Sequence, residues 1–71
     1  MTINVILEKT DTNWCAFTPD DIGSVFTTGT SRDEAIDNFR SALRSHLAAM
    51  KDEGFDTPLV DGLNVQELVT A

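Results

Sequence analysis

The chain has 71 residues and a formal net charge of −7 at pH 7, from Asp+Glu 12 against Lys+Arg 5, with one cysteine and one histidine. That length allows a single domain with a small core, near the lower limit for chains that fold alone. A lone cysteine excludes an internal disulfide and a cysteine-based zinc site, and a lone histidine excludes a histidine-pair site, so self-association is the remaining aid to stability.

Residues 3–8 come first. Ile3, Val5 and Leu7 alternate with Asn4, Ile6 and Glu8, the period-2 pattern of a half-buried strand. Ile6 on the polar side implies that this side is partly covered as well. Residues 9–13 are short, polar and turn-prone, which predicts a hairpin. In the next strand, residues 13–18, Trp14 and Ala16 share one face while Cys15 and Phe17 share the other. Large apolar groups on both faces place such a strand between layers or at an interface. Pro19 lacks a ladder donor and ends the strand, and Gly23 supplies the permissive backbone of the turn that follows. Val25 and Phe26 anchor a third, threonine-rich strand that Gly29 closes.

Ser31-Arg32-Asp33-Glu34 predicts a capping box, with the Ser31 hydroxyl accepting from the Glu34 amide and Glu34 reaching back. Acids crowd the first turns, where the helix dipole favours them. Ile36, Phe39, Leu43, Leu47 and Met50, with Ala35 and Ala42 beside them, draw one apolar stripe. Gly54 suits the C′ position, with Phe55 placed to fold back on the last turn. Turn signals follow at residues 56–58 and 61–62. Residues 63–69 read as a fourth strand, with a short terminal helix as the rival.

Those elements carry a family signature. A strand, a hairpin, a second strand, a Pro-Asp-x-x-Gly turn, a third strand and a Thr-Ser-x-x-Glu-Ala helix together resemble the HicB-like family, the antitoxin half of bacterial HicA–HicB toxin–antitoxin pairs. The resemblance covers residues 3–54. Its marks are Leu7-Glu8-Lys9, Trp14-Cys15-Ala16-Phe17, Pro19-Asp20-Asp21-Ile22-Gly23, Thr28-Gly29-Thr30-Ser31 and Glu34-Ala35-Ile36-Asp37-Asn38. The resemblance implies a partial ribonuclease-H-like β-β-β-α unit. It also implies a non-enzymatic protein that binds a small basic mRNA-cleaving HicA-like toxin and masks its active site. Family members commonly add a C-terminal DNA-binding module. After Gly54 this sequence has seventeen residues and no Lys or Arg, so one HicB-like domain over 1–71 is expected, with no separate DNA-binding domain.

The fold class expected is therefore α+β, in the order β-β-β-α-β, with one helix on one face of a small, mostly antiparallel sheet. The acid excess disfavours direct nucleic-acid binding, which rests on Lys and Arg releasing counterions, and it suits a basic protein partner. The same charge also serves simply to keep a small protein dissolved. Asp20 and Asp21 in the turn, with Asp33 and Asp37 at the helix start, are the candidate acids for attracting such a toxin. Trp14 is the candidate apolar anchor, and its ordinary alternative is a core or subunit-interface position.

No segment has the roughly 18 apolar residues of a membrane span, and the N-terminus lacks a basic-then-apolar leader, so the cytoplasm is expected, while the small core and the apolar groups on both faces of the second strand imply a homo-oligomer. A reducing interior also suits the unpaired Cys15. Cys15 lacks an evident base or cationic setting for nucleophilic chemistry, and His46 reads as a partly packed surface histidine. No cofactor or metal motif is present. Two alternatives stand beside the antitoxin reading. One is an orphan oligomeric interaction or ligand-sensing module without a toxin. The other is a residual metal-dependent nuclease, which would need several carboxylates converging on ions about 4 Å apart.

Overall fold

A computed structural model of the protein describes residues 2–19, 25–57 and 59–69, the last of these, Val69, by its backbone alone. The elements are β1 (Thr2–Lys9), β2 (Trp14–Phe17), β3 (Phe26–Gly29), α1 (Arg32–Asp52) and β4 (Gly62–Val69). This is the expected α+β order. The strands form one sheet in the order β3-β2-β1-β4. β1 pairs antiparallel with β2 and β2 antiparallel with β3, whereas β4 runs parallel to β1 along its whole length. It follows that the two edge strands, β3 and β4, run the same way. A parallel relationship needs a long return connection, and α1 supplies it.

The alternation in β1 decides which face is covered. Ile3, Val5 and Leu7 are buried, and with Ala16, Val25, Ala35, Phe39 and Leu43 they form the core. Thr27, Ala16, Leu7 and Glu67 line up across all four strands on this side. Thr27 brings a hydroxyl beneath α1 and donates to the carbonyl of Ala35 or Ala16, each at 3.3 Å. Gly29 makes the close approach feasible. A Cβ there would lie 2.9 Å from the Ala35 Cα and closer still to its nitrogen.

Both ends of α1 are chemically determined. Ser31 is the N-cap, its hydroxyl accepting from the Glu34 amide at 3.1 Å. Glu34 reaches one residue further back than a capping box requires, accepting from the Thr30 amide at 3.1 Å and the Thr30 hydroxyl at 3.2 Å. At the C-terminus Gly54 has φ 89°. The amide of Phe55 donates to the Met50 carbonyl and that of Gly54 to the Lys51 carbonyl, both at 3.0 Å, which is the Schellman pattern. Phe55 thus folds back through its backbone, while its ring stays 57% exposed.

The β1–β2 hairpin is held from within by Thr10. Its amide donates to the Asn13 carbonyl at 2.8 Å, and its Oγ1 accepts from the Asn13 amide at 3.0 Å. Residues 63–69 resolve as strand rather than helix. No helix among the described residues is long and apolar enough to cross a membrane.

Candidate functional site

Among the described residues, nothing covers the face of the sheet opposite α1. Phe26, Phe17, Ile6 and Gln66 stand in one row across the four strands, with Thr28, Cys15, Glu8 and Leu68 in the next. Side chains alternate across a pleated strand, so each row presents its residues on one side together. The rings of Phe17 and Phe26 stack with centroids 6.0 Å apart and planes at 27°. Phe26 is 64% exposed and Leu68 41% exposed. Ile6, Phe17 and Cys15 are half-buried between their neighbours. Further along, the Asn64 side-chain amide donates to Asn4 Oδ1 at 3.0 Å. Among the described strand residues of this face Glu8 alone is charged. The surface is apolar at one side, amide-rich at the other, and nearly free of charge on an acidic chain.

The residues singled out from sequence are distributed differently. Trp14 lies on the side that α1 covers, packed half-buried against the core, and Lys9 Nζ sits 5.9 Å from its ring centroid. It adjoins Gly29 and Lys9 at the end of the sheet. The exposed apolar groups are therefore elsewhere, on the uncovered face. Asp33 and Asp37 are both exposed on the first turns of α1, four residues apart and so on one side of the helix. Asp20 and Asp21 lie outside the described residues, as does Gly23.

Arg32, next to Asp33, spans to Glu67 on β4 with Nε to Oε2 at 3.4 Å, which ties the start of the helix to the far edge strand. Cys15 is a free thiol on the uncovered face. His46 is half-buried on α1, its Nε2 shielded from solvent and without a hydrogen-bond partner among the described residues. Among those residues no three His, Cys, Asp or Glu side chains gather where they could hold a metal ion.

Sequence reasoning had placed Cys15 and Phe17 on one face but did not single out Phe26 or Leu68. The available signal was the parity of the strands, since Ile6, Phe17 and Phe26 all fall on the side opposite Val5, Ala16 and Val25. What parity lacks is the register that aligns them in one row. No family model matches this chain, and neither the curated proteins nor the solved structures gave a match.

Proposed function

We propose that this chain is a non-enzymatic, cytoplasmic binding protein of the HicB-like antitoxin type. It acts as a homo-oligomer that neutralises a small basic mRNA-cleaving toxin by covering the toxin's active site. The observation that carries the binding reading is the uncovered sheet face, with Phe17, Phe26, Ile6 and Leu68 together and a single charge among them. Apolar groups clustered this way on a small domain mark a contact surface. Self-association through that face would supply the burial that the small core of a 71-residue chain lacks. The basic partner is a separate inference, supported by the formal charge of −7 and by Asp33 and Asp37 exposed on one side of α1. Such charges raise association rate more than final affinity.

Co-expression with the adjacent reading frame tests the antitoxin reading. Rescue of growth from a toxic, basic neighbour is the expected result. A neighbour that is harmless, or that stays toxic while this protein is present and folded, overturns the toxin assignment in favour of an interaction module that has no toxin.

A further inference from the structure

The two edges of the sheet end it in different ways. β3 has four residues, and its Thr28 carbonyl already accepts from the Asn38 side-chain amide of α1 at 2.8 Å. β4 has eight residues and pairs with β1 in unbroken register along all of them. Among the described residues, nothing pairs with its other border. Every second residue of such a strand directs an amide and a carbonyl away from the sheet. Natural edges are blunted by shortness, lysine, proline or a bulge. β4, Gly-Leu-Asn-Val-Gln-Glu-Leu-Val, has none of these.

Its composition also indicates what pairs with it. The only charged residue in β4, Glu67, is met by Arg32 of the same chain at 3.4 Å. A chain of net charge −7 thus has one long border at which a copy of itself brings no unopposed charge. A basic strand from another protein would find no free carboxylate along it. The side chains are self-complementary as well. Antiparallel pairing centred on Val65 sets Val65 against its own copy, Asn64 against Gln66, and Leu63 against the aliphatic stem of Glu67. Centring on Gln66 sets Asn64 against Leu68, an amide against an apolar group. Centring on Asn64 leaves residues 67–69 beyond the partner's strand.

We propose that β4 pairs antiparallel with β4 of a second copy, Val65 lying at the two-fold axis, so that two four-stranded sheets become one. Pairing over residues 62–68 forms about six to eight backbone hydrogen bonds, fewer than the roughly ten of a typical interface. The edge alone does not hold two copies at micromolar concentration. It is sustained by the uncovered faces, which edge pairing makes continuous, because a two-fold axis perpendicular to the sheet keeps both on one side. In this the inference rests on the proposed self-association through that face. The two contacts together close a group of four.

Sedimentation and amide hydrogen exchange on the full chain test the edge separately from the face. The expected species is the group of four, with slow exchange at every amide of residues 63–68. Those pointing away from β1 should lose protection on dilution. Asn64→Lys/Gln66→Lys sets lysines of the two copies against each other at the edge, two and three strands away from Phe17 and Phe26. That variant should sediment as a face-paired dimer. Its outward β4 amides should exchange about tenfold or more faster, while those bonded to β1 stay protected and show the fold intact. A parent dimer whose outward β4 amides exchange freely overturns edge pairing and leaves the face contact standing. So does a double variant that keeps the group of four. A strictly monomeric parent overturns both.

Discussion

Phe17 and Phe26 stack across β2 and β3, 6.0 Å between ring centroids, on the side of the sheet that α1 does not reach. Phe26 keeps 64% of its surface in solvent despite that stack. An offset aromatic pair is stabilising beyond its area, yet among the described residues nothing packs on its outer surface. The relationship makes the pair a preformed contact surface whose removal need not disturb the core.

Phe26→Lys is accordingly expected to separate assembly from folding. Sedimentation at micromolar concentration should show a dimer or larger closed assembly for the parent chain and a monomer for the variant. The variant's melt should change little once concentration is accounted for. A strictly monomeric parent would remove self-association from the account.

Leu43 is 6% exposed and belongs to the core cluster. Truncation to alanine should cost roughly 2–5 kcal/mol in chemical denaturation, with Phe39→Ala at about 3–5 kcal/mol. A loss below about 1 kcal/mol for Leu43→Ala would place it with surface substitutions and contradict its burial.

Gly29→Ala is a different kind of core change. The added methyl would meet the backbone of Ala35 rather than a side chain that can turn away. Overpacking of this sort costs about 1–3 kcal/mol even when side chains absorb it, so a loss at or above that range is expected from denaturant melts. A neutral result would show that α1 can lift from β3 freely.

Ser31→Ala removes the acceptor for the Glu34 amide. The expected loss is about 1 kcal/mol, measurable as a lower denaturation midpoint with an unchanged slope. Ser31→Asp should restore most of it, because aspartate caps equally well and also faces the positive end of the helix. Failure of that rescue would assign the loss to something other than the cap.

Charge reversal at Asp33 and Asp37 addresses the proposed partner. With a basic toxin in hand, the double lysine variant should associate more slowly and with a weaker dependence on salt, leaving dissociation nearly unchanged. Equal association rates at low salt would exclude this side of α1 from the encounter.

The elements were legible where local chemistry decides them. Alternation at Ile3, Val5 and Leu7 identified the buried side of β1, and Ser31 with Glu34 and Gly54 marked the ends of α1. β4 was ambiguous because Leu68 and Val69 are adjacent and because Glu67 occupies a position of core parity. The structure explains both points. Leu68 belongs to the uncovered face, and Glu67 is met by Arg32, thirty-five residues away. Trp14 was placed on the correct face of its strand, but only the path of α1 shows that this face is the covered one.

The pairing of β1 with β4 has a consequence for synthesis. Asn4 and Asn64 bond to one another across sixty positions, and β1 occupies an interior place in the sheet. As the chain leaves the ribosome, β1, β2, β3 and α1 are all available before residues 62–69 emerge. Until then one border of β1 offers its amides and carbonyls to any neighbouring strand. Contacts this distant in sequence also form late, because the intervening loop must first be closed. A chain that stops before residue 62 would leave that border of β1 bare, a species prone to mispairing and open to proteolysis.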